Sequence, residues 1–253
     1  MPEPIRVAVA GAKGRMGREV VRAVSEASAA EADMTLAAEV DHGDDLATAL
    51  RDARADVLVD FTVPEVVMDN LRTALPLRVI PLVGTTGLKP ADLEELRGLC
   101  AQYHTPCLIA PNFALGAVLL MRFAQEAARF LPDVEIIEMH HERKVDAPSG
   151  TAARTAEMIA AARASGTPKG DAPGAFETFA GARGGRAAGE IRVHSVRLPG
   201  FVASQEVIFG APGQRLSLRH DSIDRASFMP GVLLAVRRAR SLGGLVIGLE
   251  NLL

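Results

Sequence analysis

The sequence predicts an α/β protein that combines a Rossmann-like doubly wound parallel sheet with a second α+β domain containing a mostly antiparallel sheet. Three observations support this fold class. Apolar runs alternate with helical spacing up to residue 112, a glycine-rich turn follows the first run, and strand patterns follow one another closely from residue 191 to residue 220. Strands separated by helices of about 10–15 residues favour a parallel sheet, because parallel strands need long crossover connections.

The first half of the chain alternates between strands and helices. Short apolar runs predict strands over residues 5–10, 35–40, 56–61, 78–83 and 105–110. Helical spacing predicts helices over residues 15–29, 64–75 and 89–103. Pro64 suits the first turn of the second helix, because the N–H that proline lacks would be unpaired there. Right-handed crossovers then give a doubly wound domain with helices on both faces of the sheet.

The middle of the chain has a different pattern. It predicts a helix over residues 113–131, a strand over 134–140 and a helix over 149–164 with Ser149 as its N-cap. Residues 165–190 contain seven glycines and two prolines and show no periodicity. We expect a long loop there and assign it no role.

Three strand patterns and a final helix complete the second half. The strands cover residues 191–198, 201–209 and 215–220, and Pro-Gly pairs between them supply turns. We expect these strands to be antiparallel. The helix covers residues 222–239, and Ser222 or Asp224 is expected to cap it.

Composition excludes several classes of partner. The net charge is -3 and no basic run is present, which argues against nucleic acid as a partner, and the chain has one Tyr and no Trp to stack on bases. Cys100 and Cys107 lie at neither a redox nor a zinc spacing, so buried free thiols in a reducing cytoplasm are expected. Neither a signal peptide nor a membrane-spanning stretch is visible, so we expect no membrane partner and a cytoplasmic location.

A glycine-rich turn between the first strand and the first helix indicates a dinucleotide site. The residues are Gly11, Ala12, Lys13, Gly14, Arg15, Met16 and Gly17, in the spacing G-x-x-G-x-x-G. Gly11 permits the tight turn, Gly14 lets the backbone approach a pyrophosphate, and Gly17 lets the helix pack close to the sheet. The helix N-terminus then faces the phosphates. The alternative is a glycine-rich turn that binds no ligand.

An acidic residue at the end of the second strand is expected to bind the ribose of the cofactor. Glu39 and Asp41 are both candidates, and Asp41 is favoured because it lies at the strand end, where the ligand crevice opens. A carboxylate there repels a 2′-phosphate, although Lys13, Arg15 and His42 offset that charge. We therefore expect NADH to be used at least as well as NADPH. Glu39 also fits a solvated acid without a ligand.

Two further loops leave the carboxyl ends of predicted strands. They contain Gly84, Thr85, Thr86 and Gly87 in one case and Ala110, Pro111, Asn112 and Phe113 in the other. Ligands of open α/β sheets bind outside the carboxyl ends of the strands, so both loops are predicted to contact the nicotinamide half of the cofactor. An ordinary turn is the alternative for each.

The segment from Glu138 to Thr151 is dense in proton donors and anion-binding groups. His140 and His141 end a strand, and Lys144 follows after a turn. Ser149, Gly150 and Thr151 open a helix whose N–H groups and hydroxyls suit a carboxylate. Hydride transfer to a conjugated acid needs these same elements, a proton donor and an anion site. A solvated charged loop is the alternative, and no third ligand at a recognisable spacing supports a metal site.

The chain resembles the 4-hydroxy-tetrahydrodipicolinate reductase family, which acts in the diaminopimelate route to lysine. The resemblance covers nearly the whole chain, and its most specific part is the segment from His140 to Thr151. Other matching motifs are Gly11–Gly17, Asp60-Phe61-Thr62, Gly84–Gly87, Ala110–Phe113, His194–Arg197 and Phe228–Gly231. With Asp41 at the ribose position, the chain resembles the actinobacterial branch of the family.

The resemblance implies a role for each matching residue. His140 would be the acid–base residue and Lys144 the proton donor to the substrate. His141, Ser149, Gly150 and Thr151 would bind the carboxylates of a small dicarboxylate substrate. NADH, NADPH or both would be held by Gly11, Ala12, Lys13, Gly14, Arg15, Met16, Asp41, Phe61, Gly84, Thr85, Thr86, Ala110, Pro111, Asn112 and Phe113.

The resemblance also implies a domain plan and an assembly. Residues 1–112 together with 224–253 would form the dinucleotide-binding domain, because the family returns its C-terminal helix to that domain. Residues 113–223 would form the substrate-binding and oligomerisation domain of a homotetramer. Two other functions remain open: another two-domain Rossmann oxidoreductase acting on a small acid, and a dinucleotide-sensing regulator without catalysis.

Overall fold

The computed structural model describes residues 3–163 and 174–253, which form two compact units. The first unit comprises Met1–Ala114 and Phe228–Leu253, and the second comprises Leu115–Ser227. The unit boundaries therefore lie after residues 114 and 227, where the sequence predicts domain boundaries after residues 112 and 223. Phe113 is 1 % exposed and its ring packs on Phe61 of the first unit.

Six parallel strands form the sheet of the first unit, in the order β11-β5-β4-β3-β1-β2. The strands are β1 (Ile5–Ala10), β2 (Met34–Val40), β3 (Val57–Asp60), β4 (Ile80–Val83), β5 (Cys107–Ile109) and β11 (Leu245–Ile247). The five strands predicted from the first half are confirmed. The sequence analysis missed β11, because three apolar residues between glycines are too short to show a period.

The helices of the first unit are α1 (Arg15–Glu31), α2 (Leu46–Asp52), α3 (Pro64–Ala74), α4 (Pro90–Tyr103) and α7 (Met229–Arg238). The predictions of α1, α3 and α4 are confirmed, and Pro64 lies in the first turn of α3. The seven-residue α2 was not predicted. Every residue of β3 is buried, as expected for a parallel strand covered on both faces.

The strand order creates one switch point beside β1. In the sheet, β2 lies on one side of β1 and β3 lies on the other. The connection from β1 to β2 and the connection from β3 to β4 therefore run towards opposite edges of the sheet. In open α/β sheets the ligand crevice lies at this point, outside the carboxyl ends of the strands. The glycine turn after β1 and the segment after β3 both begin there.

A five-stranded mixed sheet forms the centre of the second unit, in the order β10-β9-β6-β8-β7. The strands are β6 (Asp133–His140), β7 (Gly185–Arg186), β8 (Arg192–Arg197), β9 (Ala203–Ala211) and β10 (Gln214–Ser222). Helices α5 (Leu115–Ala127) and α6 (Gly150–Ala162) contribute to the same hydrophobic core as β6, β8 and β9. The mostly antiparallel sheet of the predicted α+β domain is confirmed.

The three strands predicted over residues 191–220 alternate in direction as expected, because β8 runs parallel to β6, β9 runs antiparallel to β6, and β10 runs antiparallel to β9. The sequence analysis did not predict that β6 lies between β8 and β9, with His140 opposite Arg197. The connection from β6 to β8 includes α6, and a crossover through a helix returns the chain in the same direction. The loop prediction over residues 165–190 also missed β7, while residues 164–173 lie outside the described residues.

The last helix begins later than predicted. β10 continues to Ser222, which pairs with Ala203 of β9, so residue 222 cannot start a helix. A short 3₁₀ turn over Arg225–Phe228 follows, with Asp224 accepting a hydrogen bond from the N–H of Ala226, and α7 begins at Met229. The predicted helix over residues 113–131 is likewise shorter and ends at Ala127. In the described parts of the chain, no helix is long and apolar enough to cross a lipid bilayer.

We predict that Gly17→Ala destabilises the protein by about 1–3 kcal/mol, because a Cβ atom there would force overpacking. An ideal Cβ on Gly17 would lie 2.0 Å from the carbonyl oxygen of Gly11. Gly98→Ala is the matched control, since Gly98 is also helical and a Cβ there meets nothing within 4 Å. The control should raise stability by about 0.4–1 kcal/mol. Urea unfolding measures the stability of both variants. If Gly17→Ala were as stable as Gly98→Ala, the close approach of the backbone at Gly17 would be contradicted.

Candidate active site

The glycine turn after β1 places backbone N–H groups at the start of α1. Gly11 has a φ of +75°, and an ideal Cβ there would lie 2.6 Å from the carbonyl oxygen of Phe61. Gly14 is the N-cap of α1, and no side chain caps the helix. Its N–H donates to the carbonyl oxygen of Gly11 over 2.9 Å, which closes the turn. The N-terminal amides of α1 are thus available to an anion.

Asp41 connects the end of β2 to the glycine turn. One carboxylate oxygen accepts a hydrogen bond from the backbone N–H of Lys13 over 2.7 Å, and the other accepts from the N–H of His42 over 2.8 Å. The hydrogen bonds from His42 and Lys13 lower the pKa of Asp41. The carboxylate is therefore charged at neutral pH beside the turn. Glu39 lies within β2 and is exposed.

Asp60 ends β3 with a fully buried side chain. One oxygen accepts hydrogen bonds from the N–H of Thr62 over 3.0 Å and from the hydroxyls of Thr62 and Thr85 over 2.7 Å each. The other oxygen accepts from the side-chain amide of Asn70 over 2.8 Å. Asp60 therefore joins the segment after β3 to the loop after β4, which holds the predicted cofactor residues Thr85 and Thr86.

Two aromatic rings lie together at the same edge of the sheet. The centroids of Phe61 and Phe113 are 5.7 Å apart, with the rings tilted by 53°. Phe61 also packs on Gly84, where an ideal Cβ would lie 2.1 Å from the ring. The structure thus brings together Gly11, Phe61, Gly84 and Phe113, which the sequence analysis assigned to one cofactor site.

In the second unit, β6 ends at His140 beside a fully buried carboxylate. The Nδ1 atom of His140 forms a hydrogen bond with Oε2 of Glu138. Arg197 of β8 donates to the same carboxylate from Nη1 over 3.0 Å and from Nη2 over 2.7 Å. Burial by itself would raise the pKa of Glu138. The hydrogen bonds from His140 and Arg197 together outweigh burial and lower the pKa to about 2.

The segment after His140 turns back towards β6. The N–H of Lys144 donates to the carbonyl oxygen of His141 over 3.1 Å, which forms the turn. The ammonium of Lys144 donates to both oxygens of Asp146, over 2.7 and 2.9 Å. Burial raises the pKa of Asp146, but the hydrogen bond and charge of Lys144, together with the charge of Arg197, outweigh burial and lower the pKa below its ordinary value, so the carboxylate stays charged. Nη2 of Arg197 donates to the carbonyl oxygen of Asp146 over 2.6 Å and holds the segment in place.

The start of α6 is fixed by Ser149. Its side-chain oxygen accepts a hydrogen bond from the N–H of Ala152 over 3.2 Å, which confirms the predicted N-cap. Its own N–H donates to Oε1 of Glu138 over 3.2 Å. Gly150 follows with open space where a Cβ would lie, and Thr151 and His141 are half-buried. Ser149, Gly150 and Thr151 therefore lie together at the start of α6.

Sequence reasoning missed four residues that hold these segments: Asp60, Glu138, Asp146 and Arg197. A signal was present for Glu138, because Val134, Ile136 and Glu138 recur at every second position of a strand. A carboxylate on the buried face of that pattern needs partners. Asp60 similarly interrupts an apolar run. Neither pattern shows which distant donors reach the carboxylate.

Comparison with known proteins identifies the family. The family described as "Dihydrodipicolinate reductase, N-terminus" matches residues 5–113, and the one described as "Dihydrodipicolinate reductase, C-terminus" matches residues 116–253. The chain belongs to the dihydrodipicolinate reductase family. The family predicted from the sequence is therefore confirmed, while the actinobacterial branch stays a prediction.

Full-length relatives agree with this family assignment. The chain is 52 % identical to a 4-hydroxy-tetrahydrodipicolinate reductase of Mycobacterium sp. (strain KMS), over 98 % of this chain and 99 % of the relative. It is 49 % identical to the protein of that name from Desulfitobacterium hafniense (strain DSM 10664 / DCB-2), over 98 % of each chain. The family thus extends over both units.

A solved structure of the family shares the fold. It is a dipicolinate-bound dihydrodipicolinate reductase from Paenisporosarcina sp. TG-14, with a TM-score of 0.82 and 41 % identity over 99 % of this chain and 100 % of that chain. An amine dehydrogenase from Mycobacterium smegmatis, 10 % identical with a TM-score of 0.61, shows the fold alone. Among the described residues, no group of three or more His, Cys, Asp or Glu side chains is placed to hold a metal ion.

We predict that Glu138 stabilises the protein at neutral pH and loses this effect in acid. Its pKa is about 2 in the folded state, below the ordinary value of 4.5, so the contribution is present above about pH 5 and disappears as the pH falls towards 2. Glu138→Gln should therefore be less stable than wild type at neutral pH. This difference in the free energy of unfolding should decrease by up to about 3 kcal/mol as the pH falls from about 5 towards 2. Urea unfolding at several pH values measures it.

Glu94→Gln is the control for this measurement. Glu94 lies on α4 with a side chain that is 76 % exposed, so its replacement should have a small effect that changes little with pH. A difference between wild type and Glu138→Gln that stayed constant from pH 6 to pH 3 would contradict the stabilising role of the ionised carboxylate.

Proposed function

We propose that the protein is a 4-hydroxy-tetrahydrodipicolinate reductase that uses NADH, NADPH or both. It would transfer a hydride from the reduced nicotinamide to 4-hydroxy-tetrahydrodipicolinate, a cyclic unsaturated dicarboxylate that loses its 4-hydroxyl as water, and give tetrahydrodipicolinate, in the diaminopimelate route to lysine. The observation that carries this proposal is the alignment of 98 % of the chain, at 52 % identity, with a relative of that activity. The geometry of both units supports it.

The first unit, together with its returning C-terminal segment, is proposed as the dinucleotide-binding domain. The cofactor fits the residues present: Gly11 leaves no room for a side chain, α1 starts without a side-chain cap, and Asp41 offers a charged carboxylate to a ribose. The phosphates would be held by Gly11, Ala12, Lys13, Gly14, Arg15 and Met16. The nicotinamide half would be held by Phe61, Gly84, Thr85, Thr86, Ala110, Pro111, Asn112 and Phe113. When bound, the reduced nicotinamide supplies the hydride.

NADH is proposed to be used at least as well as NADPH. Both oxygens of Asp41 already accept backbone N–H groups, and these hydrogen bonds keep the carboxylate ionised. A charged carboxylate at the ribose accepts hydrogen bonds from hydroxyls and repels a 2′-phosphate. Lys13, Arg15 and His42 are the nearby basic residues that reduce this repulsion.

The second unit is proposed to bind the substrate. The start of α6 presents the N–H groups of Gly150 and Thr151, and open space lies beside Gly150. A carboxylate is stabilised at such a position by the helix N-terminus. His141 and Ser149 are assigned to the same substrate site. The relative solved with dipicolinate bound supports a planar dicarboxylate as the ligand class.

The proton chemistry is assigned to His140 and Lys144. Hydride addition to a conjugated acid leaves negative charge that a nearby proton donor must neutralise. Lys144 would donate that proton to the substrate, and His140 would act as the acid–base residue. Oligomerisation into a homotetramer through the second unit, and a cytoplasmic location, complete the proposal.

A coupled assay tests the function directly. The unstable precursor is generated enzymatically in the cuvette, and oxidation of NADH and NADPH is followed with and without it. Precursor-dependent oxidation supports the proposal. Oxidation with other small acids only would indicate a different Rossmann oxidoreductase, and cofactor binding without any turnover would indicate a sensing protein.

We predict that Lys144→Ala lowers kcat by about 10²–10⁴-fold, the usual range for loss of a general acid. Cofactor affinity, measured by fluorescence titration, should not change, because the lysine acts on the substrate. Arg143→Ala is the matched control, since Arg143 lies in the same turn and its side chain is 73 % exposed. Normal turnover by Lys144→Ala would rule out the assigned role.

We predict that Asp41→Ala raises KM for NADH about tenfold or more, as expected for loss of a charge-assisted hydrogen bond. KM for NADPH should change less, because removal of the carboxylate also removes repulsion of the 2′-phosphate. Steady-state kinetics with both cofactors measure the ratio. Glu39→Ala is the control, and an effect seen there instead would move the ribose contact to Glu39.

A further inference from the structure

Both oxygens of the Glu138 carboxylate accept hydrogen bonds from Arg197, each oxygen has a further partner, and the side chain of Ser195 also forms a hydrogen bond with the carboxylate. Oε1 accepts hydrogen bonds from the N–H of Ser149 over 3.2 Å and from Nη2 of Arg197 over 2.7 Å. Oε2 accepts from Nη1 of Arg197 over 3.0 Å and contacts Nδ1 of His140. A backbone amide and a guanidinium can only donate, so both oxygens act as acceptors.

This arrangement determines which nitrogen of His140 carries a proton. An ionised carboxylate has no hydrogen to give, so Nδ1 of His140 must be the donor in its contact with Oε2. The neutral imidazole then has its lone pair on Nε2, which points away from Glu138. The side chain of His140 is 15 % exposed, whereas that of Glu138 is fully buried.

We propose that Glu138 is a positioning residue for the reduction, because it fixes His140 in the Nδ1–H form and leaves Nε2 free for the substrate. The inference rests on the proposed function for its substrate and deepens the role given to His140. Nε2 accepts or gives the proton that moves during the reaction, while Nδ1 keeps its own. Glu138 stays ionised throughout and exchanges no proton.

The same carboxylate also sets the position of the proposed substrate site. Its bond to the N–H of Ser149 fixes the residue that caps α6, and Arg197 spans from Glu138 to the carbonyl oxygen of Asp146. A single buried group therefore orients the imidazole and places the start of the helix next to it. An active-site His is held in the same manner when a buried carboxylate accepts from its Nδ1–H.

Glu138→Gln separates orientation from shape, because glutamine has the same size. If the amide oxygen replaces Oε1, the NH₂ group opposes one donor of Arg197 and donates to Nδ1 of His140. If the oxygen replaces Oε2, the NH₂ group opposes both the N–H of Ser149 and the other donor of Arg197. The first orientation has fewer donor–donor conflicts, so the variant should convert His140 to the Nε2–H form.

Solid-state NMR of protein labelled with ¹⁵N-histidine reads the tautomer directly and needs no substrate. The chain has six histidines, and the signal that His140→Gln removes belongs to His140. We expect an Nδ1–H signal for neutral His140 in wild type and an Nε2–H signal in Glu138→Gln. A wild-type Nε2–H signal would overturn the proposal, even if the variant failed to fold.

Kinetics give the second readout. We expect Glu138→Gln to lower kcat for the precursor by about 10²-fold or more, with cofactor affinity unchanged. Ile136→Val is the control, because Ile136 lies on the same buried face of β6 as Glu138. This variant should be less stable than wild type but should keep the wild-type kcat. A wild-type kcat in Glu138→Gln, or an equal loss in Ile136→Val, would overturn the positioning role. Inactive wild-type protein would instead contradict the proposed function, and the NMR result would still decide the tautomer.

Discussion

The buried charge of Glu138 is the constraint on which the organisation of the second unit depends. An ionised carboxylate removed from water is costly unless hydrogen bonds and an opposite charge offset its lost solvation. Arg197 supplies the charge, and His140 and Ser149 supply further hydrogen bonds. These residues come from β6, β8 and the start of α6. The need to satisfy one carboxylate therefore holds three separate parts of the chain together.

The parallel pairing of β6 and β8 makes this contact possible. His140 lies opposite Arg197 in the register, so the arginine is two positions along from Glu138 on the neighbouring strand. From there its guanidinium reaches back along β6 to both oxygens and also contacts the segment at Asp146. An antiparallel pairing of β6 and β8 would place different residues beside Glu138. The sequence analysis did not predict that β6 and β8 are neighbours, and for the same reason it did not identify Arg197 as a partner of Glu138.

The sequence predicted the fold class, most strands and helices of the first unit and the segments that carry the chemistry, because these depend on local patterns. Glycine spacing, period-two alternation and an N-cap serine are each visible within about ten to twenty residues. The residues it missed act over longer distances. Asp60 binds Thr85, 25 positions away, and Glu138 binds Arg197, 59 positions away. Such pairs follow from topology, which no short window contains.

The two buried carboxylates differ in what they hold. Asp60 accepts hydrogen bonds from two threonines and Asn70, all of them neutral donors, and joins loops of the proposed cofactor site. Glu138 binds the guanidinium of Arg197 and the imidazole of His140. Asp60 therefore holds the loops of the proposed cofactor site in position, whereas Glu138 is proposed to determine the tautomer of His140.

This contrast extends to the two proposed proton carriers. Lys144 is paired with Asp146, whose side chain is 55 % exposed, and ion pairs accessible to solvent contribute about 0–1 kcal/mol. The ammonium can therefore exchange Asp146 for an anionic substrate at little cost. His140 cannot leave Glu138 so easily, because a buried acceptor that loses a hydrogen-bond donor costs about 1–3 kcal/mol. The difference supports the proposed roles of Lys144 as the proton donor to the substrate and of His140 as the acid–base residue.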